Sequence, residues 1–362
     1  MKHAQWVVAL IIGAGCGDNL PPKPDAGPPV RPDAGVNLVA RGRYIMNTLG
    51  ACTFCHTPLN PDGTRDNTKL LAGVDCFVDI DPTDPNVGCI ATRNLTNHET
   101  GLKNKTDQQI KDAFTKGTRT DGKILAPVMP YWVFHNMTAQ DQDAIVAYLR
   151  TVPGVDHQVA ANQPPWSLIN DGNAGVCSMF GTQGTTPCLA DGIMESSIPM
   201  PGAGTADMAS ALRGRYLSSM VGLCIDCHTP ELPHVPPTNP IPPFFPRPID
   251  MGKPYGGGRA FFSQDLGLPV PPYPAFPTPI ITRNLTQHAT GLMGWTTSQI
   301  RNAIAFGKDR DGNAVCAGTH GSLISPYAAL DEQDLTDIVN YIASLPPVDN
   351  NTGTDCAGPP VP

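Results

Sequence analysis

Aromatic and charged side chains are scarce, at 6% and 15% of 362 residues. So few large rings leave a thin core for a chain of this length. No internal stretch is long and apolar enough to cross a bilayer. Apolar–polar alternation is also missing, which argues against a sheet-dominated fold and predicts an all-α one. A basic excess is absent: the net charge is −8, which argues against nucleic acid as a partner. The chain has no phosphate-binding glycine loop and no nucleophile–base set, so no catalytic residue is predicted. Proline and glycine are plentiful, at 40 and 36, and predict long irregular connections.

Against this background one motif occurs twice. Cys52-Thr53-Phe54-Cys55-His56 and Cys224-Ile225-Asp226-Cys227-His228 are both Cys-x-x-Cys-His, the attachment signature of c-type haem. Two thiols three positions apart can each form a thioether to a haem vinyl group, and the next residue then offers its imidazole to the iron. The motifs predict two covalently attached haem c groups. Cys52, Cys55, Cys224 and Cys227 bind the cofactor, with His56 and His228 as iron ligands. Zinc needs four protein ligands, and neither motif has a second Cys/His pair at suitable spacing.

The motifs lie inside a longer duplication. Arg41-Gly42-Arg43-Tyr44 matches Arg213-Gly214-Arg215-Tyr216, and Thr92-Arg93-Asn94-Leu95-Thr96 matches Thr282-Arg283-Asn284-Leu285-Thr286. Residues 141–148 match 334–341. The second copy carries about 20 extra residues, mostly in the Pro- and Phe-rich stretch 231–281. Each copy offers three helical patterns. They lie near 37–50, 106–117 and 139–150, and again near 209–222, 296–307 and 332–344. The middle ones open on capping boxes, Thr106-x-x-Gln109 and Thr296-x-x-Gln299.

Residues 1–16 read as an export signal, with Lys2, an apolar run over 7–12, and small residues before Cys16. That end resembles a bacterial lipoprotein cleavage site, which would lipidate Cys16. Gly13 departs from the pattern, and cleavage without a lipid is the other reading. Residues 17–36 read as a Pro-rich tether. The domains predicted are 37–153 and 208–347, joined by a linker over 154–207 and followed by a tail over 348–362.

The haem motifs and the Asn-Leu-Thr segments resemble class I cytochrome c, and most closely the multi-haem cytochrome c subunits that accept electrons from periplasmic dehydrogenases. The resemblance implies two tandem helical cytochrome c-like domains with long irregular loops. It implies electron transfer outside the cytoplasm, between a donor dehydrogenase and a terminal acceptor, in a periplasmic or outer-surface and lipid-anchored protein. It also implies a Met opposite each His, and contacts of Tyr44 with Tyr148 and Tyr216 with Tyr341 near the haem edge. Met129, between Pro127 and Pro130, fits the distal role in the first copy. The second copy lacks that Met. His320, on a Gly-flanked loop, is the nearest strong iron ligand, with Met293, Met251 or an open iron site as alternatives. Unlike ligands keep a second function open, a dihaem oxidoreductase of the peroxidase or thiosulfate-oxidising type. A third class is a gas-binding sensor.

Proximity pairs the remaining thiols as Cys76–Cys89, Cys177–Cys188 and Cys316–Cys356, in keeping with an oxidising compartment.

Overall fold

A computed structural model describes residues 37–79, 81–121, 125–126, 128–164, 166–167, 193–231, 249–261, 279–315, 320 and 326–353. The export segment and tether, and Cys177, Cys188, Cys316 and Cys356, lie outside the described residues.

The chain is mostly helical. In the first copy α1 (Leu38–Asn47) leads into α2 (Cys52–His56), followed by α3 (Asp107–Lys116), α4 (Tyr131–Phe134) and α5 (Ala139–Leu149). The second copy runs α6 (Met208–Tyr216), α7 (Cys224–Cys227), α8 (Thr297–Phe306) and α9 (Glu332–Ala343). Both predicted capping boxes are formed, at Thr106–Gln109 and Thr296–Gln299. Each satisfies two backbone N–H groups that the first helical turn would leave without partners. Both helices stop at a left-handed glycine, Gly117 and Gly307. The predicted helix over 209–222 is shorter than expected: after Tyr216 the chain widens into a π-turn over Leu217–Val221.

The mostly helical expectation holds, with a few short strands beside the helices. Two short antiparallel pairs are present: β1 (Val74–Asp79) with β2 (Cys89–Thr92), and β3 (Ala260–Phe261) with β4 (Ile280–Ile281). These strands are too short for alternation to stand out, and the register of the first pair shifts between Val74 and Val78. The Cys76–Cys89 disulfide joins the first pair as expected, across 13 residues.

In each copy the first helix crosses the last, α1 on α5 and α6 on α9. Among the described residues the largest apolar cluster spans both copies and includes Ile45, Leu49, Val133 and Ile145 of the first and Leu217, Ile225, Ile338 and Tyr341 of the second.

The Asn-Leu-Thr segments are buried turns. Asn94 Oδ1 accepts from the Thr96 backbone N–H at 2.9 Å and from its hydroxyl at 2.7 Å. Its Nδ2 donates to Thr100 Oγ1 at 3.0 Å and to the Val155 carbonyl at 2.9 Å. Asn284 repeats this with Thr286, Thr290 and Val348. Each turn thus fastens the chain beyond the last helix. Replacing Asn94 or Asn284 by Ala leaves buried donors and acceptors without partners, at about 1–3 kcal/mol for each group. The expected loss is about 3 kcal/mol per variant in chemical denaturation. A loss below about 1 kcal/mol would show that the turn holds without its Asn.

Candidate functional site

Both Cys-x-x-Cys-His segments form single short helical turns. The first is entered through Ala51 in the left-handed region, at φ 48°. All four cysteines are free thiols, half-buried beside the core. Burial pushes each thiol up to about 12, so all four are protonated at neutral pH.

The two histidines sit in matching frames. His56 Nδ1 lies 2.8 Å from the Arg93 carbonyl, and His228 Nδ1 lies 2.8 Å from the Arg283 carbonyl. A carbonyl only accepts, so Nδ1 carries the proton and Nε2 keeps its lone pair. Burial lowers both rings to about 4, so both are neutral and able to ligate a metal. The His56 carbonyl accepts from Gly73 N at 2.8 Å, and the His228 carbonyl from Gly257 N at 2.7 Å.

Sequence reasoning missed the threonines that follow. Thr57 and Thr229 are fully buried. Their hydroxyls accept from the backbone N–H of Leu71 and Tyr255, each at 3.1 Å. Leu71 and Tyr255 are held at φ 62° and 60°, an unfavourable conformation for residues with a Cβ. The repeated Thr-Pro after each motif was the available signal.

The surroundings of the two motifs differ. Arg65 stacks on Phe54 at 4.6 Å and donates to the Thr57 carbonyl at 3.0 Å. In the second copy Arg259 is buried, pairs with Asp226 inside the motif and reaches Glu231 at 3.2 Å.

On the distal side, Met129 lies half-buried just before α4, in the apolar cluster that also takes in Cys52. Met137 is core packing, as its apolar counterpart Leu330 suggests. His98 and His288 bond to Thr100 and Thr290, each at 2.9 Å, in keeping with local structural roles.

The second copy brings two imidazoles together: the ring centres of His228 and His320 are 5.9 Å apart, at 70°. Two imidazoles on opposite sides of one metal ion, with bonds of about 2 Å, hold their centres about 6 Å apart. His320 Nδ1 lies 3.3 Å from the Ile304 carbonyl, which leaves its Nε2 available. Burial also lowers the His320 pKa and keeps the ring neutral. His320 lies against Gly307, where a Cβ would lie 2.1 Å from the His320 carbonyl oxygen. Met293, one rival, is 55% exposed, while Met251 packs on the core. The arrangement can hold a large planar cofactor through paired thiols and can bind its metal from one or both faces.

Among the described residues, no helix is long and apolar enough to cross a membrane. No protein-family model matches the chain. Among curated proteins, the cytochrome c subunit of alcohol dehydrogenase (quinone) from Gluconacetobacter polyoxogenes is 27% identical over 326 residues, 89% of this chain and 59% of that protein. The fructose dehydrogenase cytochrome subunit of Gluconobacter japonicus is 28% identical over 195 residues, 53% of this chain and 35% of its own. A diheme cytochrome c-type protein of Cereibacter sphaeroides is 31% identical over 117 residues, 32% of this chain and 36% of its own. The chain spans about three fifths of the length of the first of these relatives. With its two matching Cys-x-x-Cys-His frames, the chain is a homologue, at modest identity, of cytochrome c subunits of dehydrogenases and of a diheme cytochrome c.

Proposed function

We propose that this chain is a dihaem c-type cytochrome that carries electrons from a dehydrogenase to a further acceptor, outside the cytoplasm. The observation that carries the reading is the repeated frame: free thiol pairs beside neutral histidines, His56 buried and His228 half-buried, whose Nε2 atoms are available. The named roles of the relatives, cytochrome subunits of dehydrogenases, support it.

In this reading residues 37–153 and 208–347 are tandem class I cytochrome c domains. Residues 1–16 direct export, Cys16 takes a lipid, and 17–36 form the tether. Cys177–Cys188 and Cys316–Cys356 form the remaining disulfides.

Bound haem iron supplies one-electron chemistry. The chain does the rest. Cys52 and Cys55, and Cys224 and Cys227, would hold the haems through thioethers. His56 and His228 are aimed by the Arg93 and Arg283 carbonyls and would ligate the iron. Met129 and His320 would supply unlike second ligands, and a bis-His site would have the lower potential. The 5.9 Å spacing of His228 and His320 supports a closed second site and weighs against the peroxidase-type alternative, which needs an open iron face.

Frozen-solution EPR tests the ligands. The wild type is expected to show low-spin signals only, unchanged by peroxide. His320→Ala turns the second signal high-spin and admits carbon monoxide, and Met129→Ala does the same for the first. A second signal indifferent to His320→Ala removes that ligand. A high-spin, peroxide-reactive signal in the wild type removes the carrier reading.

A further inference from the structure

Each tyrosine of the repeated Arg-Gly-Arg-Tyr leaves its own half of the chain. Tyr44 Oη donates to Asp334 at 2.9 Å and accepts from the Asp331 backbone N–H at 3.1 Å. Tyr216 Oη donates to Asp141 at 2.8 Å and accepts from the Thr138 backbone N–H at 3.2 Å. Each hydroxyl therefore caps the N-terminus of the other half's last helix and binds the carboxylate in its first turn. Burial and the neighbouring carboxylate push both phenols above their ordinary value, so both keep their protons.

The arginines of the same motif complete the cluster. Arg41 holds Asp141 through two bonds, at 2.8 and 2.9 Å, and lies 3.6 Å from Asp334 across the halves. Arg213 binds Asp334 at 2.5 Å and Asp337 at 2.6 Å. The three carboxylates are nearly sealed from water, with side chains 2%, 5% and 2% exposed. Polar groups buried at an interface act best as a register device. A slide by one helical turn would leave dry carboxylates without their donors.

The same α1 and α6 lead directly to the attachment segments. Leu49, three residues before Cys52, packs against Gly222, two residues before Cys224: a Cβ on Gly222 would lie 3.7 Å from Leu49 Cδ2. The register of this interface thus fixes how the two attachment segments face each other.

We propose that Tyr44 and Tyr216 are positioning residues: their reciprocal clasp on Asp334 and Asp141 holds the two halves in the one register that sets electron exchange between their cofactors. The inference rests on the two-haem reading. The exchange moves one electron from the reduced iron of one half to the oxidised iron of the other, with no net proton transfer.

The test compares the full-length holoprotein with Tyr44→Phe, Tyr216→Phe and the double variant, which remove only the hydroxyls. Haem per chain and the visible spectrum are measured first. Exchange after brief photoreduction is then followed, together with thermal unfolding. The double variant is expected to keep its haem content and spectrum, to slow exchange at least tenfold, and to unfold in two steps where the wild type unfolds in one. The single variants fall between. Exchange within twofold of wild type, with one unfolding step, overturns the clasp. A wild type with fewer than two haems overturns the two-haem reading instead, and the unfolding comparison alone then decides the clasp.

Discussion

A chain in which Cys224 and Cys227 are both Ser is expected to carry one covalently bound haem, against the two expected in the wild type. Serine oxygen does not add to a vinyl group as a thiol does, so the second attachment fails outright rather than weakening. The first attachment has its own frame. His56 is aimed by the Arg93 carbonyl, and the Cys55 carbonyl accepts from Thr92 at 2.7 Å, all within the first half. It therefore survives. The reciprocal Cys52→Ser/Cys55→Ser chain keeps only the second haem. Acid–acetone extraction followed by intact mass, with a pyridine haemochrome count, reads the result. Two haems retained, or none, in either variant would remove the assignment of one haem to each motif. The EPR signal lost in Cys224→Ser/Cys227→Ser is expected to be the one that His320→Ala alters.

The other large effect is steric. Gly42→Ala and Gly214→Ala are each expected to destabilise the chain by at least about 3 kcal/mol, although alanine is the better helix former by about 1 kcal/mol. In α1 a Cβ on Gly42 would lie 1.9 Å from the Ala144 carbonyl oxygen of α5. In α6 a Cβ on Gly214 would lie 1.9 Å from the Asp337 carbonyl oxygen of α9. Both obstacles are backbone atoms of a packed helix, which cannot rotate aside as a side-chain tip can. Overpacking normally costs about 1–3 kcal/mol. Here the helices must separate, which also strains the Arg41–Asp141 and Arg213–Asp337 pairs beside the crossing. Sterics should therefore win over propensity. Urea denaturation of the holoprotein measures the loss, and a variant as stable as wild type would mean that the crossing is looser than described.

Local chemistry was the part of the fold legible in the sequence. The capping boxes at Thr106 and Thr296, the glycine stops at Gly117 and Gly307, and the Cys76–Cys89 bridge each depend on residues close together in the chain. So do the attachment motifs, whose thiols and imidazole occupy five consecutive positions. The short strands were not legible, because pairs of two to six residues leave too little alternation to read. The cross-copy bonds of the tyrosines were not legible: beside the expected contacts of Tyr44 with Tyr148 and Tyr216 with Tyr341, the hydroxyls of Tyr44 and Tyr216 reach Asp334 and Asp141 of the opposite copies. Tyr341 also meets Tyr255, with ring centres 5.8 Å apart. A repeat shows which residues are equivalent. It does not show whether equivalent residues bond within a copy or across copies.

The sequence by itself determined that this chain carries two equal Cys-x-x-Cys-His motifs in matching surroundings, with no equal partner for Met129 in the second copy. Covalent attachment needs only neighbours along the chain, and spacing records neighbours. Tertiary structure decided what faces what. It set His320 beside His228 from 92 residues away, and it crossed Tyr44 and Tyr216 between the halves. Those contacts come from helix crossings that glycines allow and buried charges hold in register, and neither is a property of any short stretch of sequence.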